Sequence, residues 1–153
     1  MTIPPLRREA LLPRIDGITK NLKRLREFGA RPRKEFLENE DLFDLAQHHL
    51  RLALEGVFHI ASHILSRIPG TRATGYREIA LALGVADIVD RTFAEGALVK
   101  MAGYRTRLTH FYHEITPEEL YAILQDNLGD IETFLGAIKQ VLEHAEKYGF
   151  AVE

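Results

Sequence analysis

Residues 39–70 read NEDLFDLAQHHLRLALEGVFHIASHILSRIPG, the longest regular pattern in the chain. Leu42, Leu45, Ala46, Leu50, Ala53, Val57, Ile60, Ala61 and Ile64 recur at helical spacing, so one face of a long helix is apolar. Asn39-Glu40-Asp41 puts negative charge at the start, where a helix N-terminus favours it. Pro69-Gly70 stops the pattern. A helix this long, apolar along one face, needs other helices to cover it.

The flanking segments supply them. Upstream, Ile15, Ile18, Leu22, Leu25 and Phe28 form one apolar stripe on a basic helix that Gly29 and Pro32 end. Downstream, a loop leads to a short helix, Tyr76 to Leu83, which Gly84 can close in a left-handed conformation. Asp87 is the expected N-cap of the next helix, with Ile88, Val89, Phe93, Leu98 and Met101. Gly103 is expected to bend that helix before Tyr104–Ile115 continues it. Thr116-Pro117-Glu118-Glu119 then reads as a strong helix start: threonine caps, proline takes the first helical position, and Glu119 completes a capping box. Leu120, Ile123, Leu124, Leu128, Ile131, Leu135, Ile138 and Leu142 carry the last helix to about Tyr148-Gly149. No strand, linker or repeat interrupts the series. The expected fold is all-α, an up-and-down bundle of four to five helices, with residues 1–153 forming a single domain and an ordered core spanning about 12–148.

Composition narrows the classes of function. The chain is 46% hydrophobic and 27% charged, ordinary for a globular domain. With no cysteine, disulfides, thiol catalysis and cysteine zinc sites are excluded. No apolar run reaches the roughly 20 residues that span a bilayer, and Met1–Arg8 lacks the apolar stretch of a secretory signal. A cytoplasmic location without membrane contact is the expectation. The net charge of −2 argues against a nucleic-acid binder, but its distribution is uneven. Residues 1–34 hold ten Lys/Arg against three Asp/Glu, whereas residues 114–153 hold two against nine. Such an asymmetry permits a local surface for phosphates. It is equally compatible with two solvated faces, or with two ends that pair with each other.

The chemistry concentrates in residues 101–115, MAGYRTRLTHFYHEI. Tyr104, Leu108, Phe111 and Ile115 make an apolar stripe, and Arg105, Thr109 and Tyr112 share a more polar neighbouring face. On a straight helix Arg105 and His110 point about 140° apart. They can form a tight pair only through a bend or through a second copy of the helix.

Arg105-x4-His110-x-Tyr112 resembles the signature of the HepT-like toxins of the HEPN superfamily. The lead-in Met101-Ala102-Gly103-Tyr104-Arg105 and the exit Leu108-Thr109-His110-Phe111-Tyr112 are similar to that family's as well. Upstream, Glu55 and His63 look like the family's glutamate and its Ala-Asn-His element, and Tyr76-Arg77-Glu78 like its aromatic-Arg-acid start of the short helix. The resemblance covers about residues 15–140. Three positions depart from it: Thr106 stands where the family usually has an amide-type residue, Thr109 where a valine-like one is usual, and Phe111 where polar residues are common.

The resemblance implies a metal-independent endoribonuclease that needs no cofactor. Its site would form where two protomers of a homodimer meet, each supplying Arg105 and His110, with Thr106 and Glu55 in support. It further implies an MNT-type minimal nucleotidyltransferase antitoxin that transfers AMP onto Tyr112. Arginine offers a planar, permanently charged fork to phosphate oxygens, and histidine titrates near neutrality. RNA carries its own nucleophile. The same resemblance also fits a non-catalytic helical module that binds the nucleotidyltransferase as scaffold or substrate; growth arrest on expression without the partner separates the two. Glu55, His59 and His63 stand at successive i,i+4 positions, a possible ligand face, but no Glu-x-x-His pair recurs on another helix as di-iron bundles require. A polar face is therefore the better reading, and no metal is expected.

Overall fold

The structure, a computed structural model, describes residues 3–110 and 115–153. Along them run α1 (Arg8–Gly29), α2 (Arg33–Glu38), α3 (Glu40–Leu65), α4 (Tyr76–Val85), α5 (Arg91–Phe93), a π-helical turn (Ala94–Leu98), α6 (Val99–Thr109), α7 (Pro117–Asp126), α8 (Leu128–Glu143) and a 3₁₀ turn (Ala145–Tyr148). α5, the π turn and α6 follow one another without a break. The fold is all-helical, as the periodicity predicts. No described helix is long and apolar enough to cross a membrane.

α3 is the centre of the bundle, packed against α1, α2, α4, α6 and α7. Its start is the one the sequence predicts: the Asn39 side chain accepts from the backbone N–H groups of Asp41 and Leu42 at 3.0 and 3.2 Å, satisfying donors that no helical carbonyl can reach. Its apolar positions, among them Leu50, Ala53, Val57, Ile60 and Ile64, are buried. The α1 stripe closes over them through Ile18, Leu22, Leu25 and Phe28. At Gly56 the two helices come so close that a Cβ would lie 2.7 Å from Ile18 Cγ1.

Both ends of the chain extend the packed region beyond 12–148. Leu6 and Phe150 are buried, and Leu6 bridges Val152 through backbone hydrogen bonds. Pro5 accepts from Arg67 Nε, and the Arg7 N–H donates to His63 Nε2, each at 3.1 Å, which pins this entry segment to the far end of α3. The basic and acidic ends of the sequence also meet. Arg26 of α1 forms an ion pair with Glu132 of α8, while Tyr121 and Gln125 of α7 donate to the carbonyls of Arg31 and Gly29 at 2.7 Å. Those two contacts serve carbonyls at the C-terminal end of α1, which lack helical partners.

Several local expectations need correction. Gly84 lies inside α4 and does not close it in a left-handed turn; the left-handed residue is Asp87, at φ 58°. Aspartate tolerates that conformation because its short polar side chain bonds locally. The cap of the next helix is then Asp90, whose carboxylate accepts from Thr92 and Phe93 N–H at 3.1 and 3.3 Å. Gly103 does not bend the helix: α6 continues through it, and the departure from α geometry is the π turn upstream. The helix stops at Thr109 rather than continuing to Ile115, with His110 extended at φ −114°, ψ 126°. The last expected helix is two, α7 and α8, divided at Asn127.

Gly84 has a packing reason to be glycine. A Cβ there would sit 2.7 Å from Ala94 Cβ, at the point where α4 meets the π turn. Gly84→Val therefore overpacks a rigid contact, at a cost of roughly 1–3 kcal/mol. For a chain of this size that lowers Tm by about 3–10 °C in a thermal circular-dichroism scan. An unchanged Tm would show that the contact can relax freely.

Candidate functional site

The site gathers around Arg105, which α6 aims across at α3. Its side chain is only 16% exposed, and three neighbours hold it. Nη1 donates to Thr109 Oγ1, one turn on, at 3.1 Å. Nη2 lies 3.4 Å from Glu55 Oε1. The guanidinium carbon stands 4.9 Å above the ring of Tyr76, the first residue of α4, and that ring packs on Phe58 of α3 at 5.2 Å. A cation over an aromatic face in a half-dry setting adds electrostatic attraction to simple packing. Thr109 is polarised in the same sense, since its hydroxyl donates to the Thr106 carbonyl at 3.0 Å while accepting from Arg105.

One donor of this arginine is left over. Arg105 Nε is buried and has no hydrogen-bond partner among the described residues. Leaving a charged donor buried without an acceptor is costly. A phosphate oxygen could satisfy that donor only if the side chain turned outward, because Nε is closed to solvent here.

Glu55 is shared. Its Oε1 also accepts from Arg51 Nη1 at 3.1 Å, an i,i+4 pair within α3. The carboxylate thus has two cationic partners. His59, one turn further along α3, is held below its usual pKa by burial and by the charges of Arg14 and Arg105, with Glu55 acting the other way. His63 is also lowered, by burial and by Arg67 and Arg7. Its Nε2 accepts the Arg7 N–H, so the imidazole is neutral there. Glu55 and His63 are therefore held by different neighbours, and among the described residues no group of three His, Cys, Asp or Glu could hold a metal ion.

His110 stands exposed at the C-cap of α6, just past the last helical residue. The backbone turns from helical to extended at this residue, φ −114°, ψ 126°. Thr106, expected in support, faces elsewhere. Its hydroxyl donates to the Ala102 carbonyl at 3.1 Å, and it lines a separate hollow of about 650 Å³ with Tyr76, Gly103 and Arg107. Tyr112 lies outside the described residues, as does Phe111.

Arg107 is turned the other way. It grips Glu119 of α7 through two hydrogen bonds, the Nη1–Oε2 one at 2.6 Å. That bonding raises the arginine's pKa and lowers the carboxyl's. The clamp ties together the two ends of the segment that carries His110 and Tyr112. It also takes the Glu119 carboxylate away from the expected capping box, of which only the Thr116 Oγ1 contact to the Glu119 N–H remains, at 3.1 Å.

Sequence reasoning missed Tyr76 as the platform for Arg105, Arg51 as second partner of Glu55, and the Arg107–Glu119 clamp. Arg51 was detectable, because it stands four residues before Glu55. The other two join residues far apart in sequence, and only packing brings them together.

A family model described as ribonuclease HepT-like matches residues 18–138. No curated protein matches the chain. Among solved structures, a toxin–antitoxin crystallised with AMP-PNP is similar at 22% identity and a TM-score of 0.77, over 86% of this chain and 98% of its own. A tri-AMPylated Shewanella oneidensis HEPN toxin in complex with an MNT antitoxin is similar at 23% identity and a TM-score of 0.75, over 85% of this chain and 96% of its own. At such identities the likeness speaks for the fold.

Proposed function

Because the chain belongs to the HepT-like ribonuclease family, we propose that it is a metal-independent endoribonuclease, the toxin of a toxin–antitoxin pair, acting through Arg105 and His110. The observation that carries this reading is the state of Arg105: oriented by Glu55, Thr109 and Tyr76, with a buried donor still unmatched, five residues before a histidine that leaves the helix at its end.

The chemistry needs nothing beyond these groups and the RNA. One imidazole takes the proton of a ribose 2′-hydroxyl, whose oxygen forms a bond to the adjacent phosphorus. The bond from phosphorus to the 5′-oxygen breaks, and a second, protonated imidazole gives that leaving oxygen its proton. Arg105 stabilises the charge gathered on the pentacoordinate phosphorus. The products are a 2′,3′-cyclic phosphate and a 5′-hydroxyl. Two imidazoles in different protonation states call for two copies of His110, hence a homodimer with a composite site at its interface. Glu55 keeps Arg105 in place. Thr106, next to Arg105 in sequence, supports the site only if its hydroxyl leaves the Ala102 carbonyl.

The partner in this reading is an MNT-type nucleotidyltransferase antitoxin that AMPylates Tyr112, and the place of action is the cytoplasm. Two solved structures of the same fold pair a toxin with an antitoxin, one of them AMPylated, which supports the assignment of partner and modification.

Purified, unmodified protein incubated with RNA in excess chelator tests the core of the proposal. Cleavage with cyclic-phosphate ends is the expected result. Intact RNA, from protein shown by mass spectrometry to carry no AMP, would refute catalysis and leave a non-catalytic module that binds the nucleotidyltransferase.

A further inference from the structure

Between α1 and α3 runs a groove of about 670 Å³, lined by Ala10, Arg14 and Gly17 on one wall and by Glu55, Gly56 and His59 on the other. The groove adjoins Arg105 through Glu55, which lines it and lies 3.4 Å from Arg105 Nη2. We propose that this groove seats the RNA strand next to the scissile phosphate, with Arg14 holding a backbone phosphate and His59 facing a base. The inference rests on the ribonuclease reading and deepens it, adding a binding subsite and the residues that would set strand preference.

Charge favours a polyanion here. The two carboxylates in the groove are both neutralised, Glu9 by Arg7 and Glu55 by Arg51 and Arg105. Arg14 is exposed and has no ion-pair partner among the described residues. The local balance is therefore positive on a chain whose net charge is −2. Shape agrees. Ala10, Gly17 and Gly56 leave room between the larger wall residues, and a Cβ at Gly17 would meet nothing within 4 Å, so the groove is open there to a sugar-phosphate chain. Phosphate contacts position a strand, whereas groups facing the bases select among sequences. His59 is exposed on the groove wall, with its pKa lowered by burial and by Arg14 and Arg105, and an imidazole in its neutral form offers one donor and one acceptor to a base edge.

The test separates binding from cleavage. On a His110→Ala background, binding of a short fluorescein-labelled single-stranded RNA is followed by anisotropy across a salt series. Arg14→Ala should weaken binding roughly five- to tenfold and reduce the slope of log K against log salt by about 0.7, the signature of one lost contact to a single strand. Gly17→Phe should block the strand by bulk. It fills open space and replaces a poor helix former, so Tm should hold or rise. Lys139→Ala, remote on α8, should change neither affinity nor slope.

Unchanged RNA affinity in both Arg14→Ala and Gly17→Phe would overturn the groove while leaving the ribonuclease reading standing. A change in oligomeric mass by light scattering would overturn it too, in favour of a second copy of the chain as occupant. If the His110→Ala protein binds no RNA and the parent cleaves none, the ribonuclease reading fails and the groove proposal with it.

Discussion

His110→Ala is expected to reduce RNA cleavage by about 10²–10⁴-fold, the range for loss of a general acid or base. Arg105→Ala should cost about 10²–10³-fold, comparable to removing a donor that stabilises transition-state charge. The double variant should be little worse than the more damaged single one, because groups that act as a unit are not additive. Initial rates on a defined RNA, with each variant checked by thermal melt, measure all three. Arg105→Ala should fold, since Glu55 keeps Arg51 at 3.1 Å and is not left as an isolated buried charge. Arg105→Lys discriminates further. Lysine keeps the charge but lacks the fork that serves Thr109, Glu55 and a phosphate together, so it should restore little activity. Full rescue by lysine would mean that the residue contributes charge alone. Retained cleavage in His110→Ala would remove the histidine from the mechanism.

AMPylation should silence the enzyme just as thoroughly, by roughly a hundredfold or more, because it brings a bulky anion to a site meant for phosphates. The proposed reaction is a transfer of AMP from ATP to the Tyr112 oxygen with loss of pyrophosphate. Protein incubated with the nucleotidyltransferase and ATP should gain AMP by mass spectrometry and stop cleaving RNA. Tyr112→Phe, which cannot accept AMP through a phenolic oxygen, should keep cleaving under the same conditions. A Tyr112→Phe protein still silenced by the modification reaction would place the target on another residue. One silenced without any gain in mass would point to blocking by simple binding.

Much of the fold was legible because caps and periodicity are local. Thr116 caps as its side chain predicts, α3 starts at its acidic segment, and its stripe apart from Leu45 is buried where the spacing says. The errors share a cause, a choice between local signals that only packing decides. Asp87 is the cap that the sequence suggests; the left-handed turn there leaves Asp90 to start the helix. Tyr104, Leu108, Phe111 and Ile115 look like one continuous stripe, yet the helix ends at Thr109. Ile115 is still buried, so an apolar residue found its place without the helix that the pattern implied. Arg105 and Glu55 could be singled out from the sequence, but not the ring beneath the arginine. Tyr76 lies 29 positions upstream of Arg105, too far for any periodicity to link them.

The π turn at Ala94–Leu98 sets the phase of everything after it. A π turn holds one residue more than the α turn it replaces, and one residue is about 100° of rotation. Without it, counting along from Arg91 would carry Arg105 round the rod, off the Tyr76 ring and away from Glu55. The face that Arg105 presents is thus decided some ten residues before it. An indel in this stretch would act as a rotation of the active site, and a residue-by-residue alignment that ignored the extra residue would put the chemistry on the wrong side of the helix.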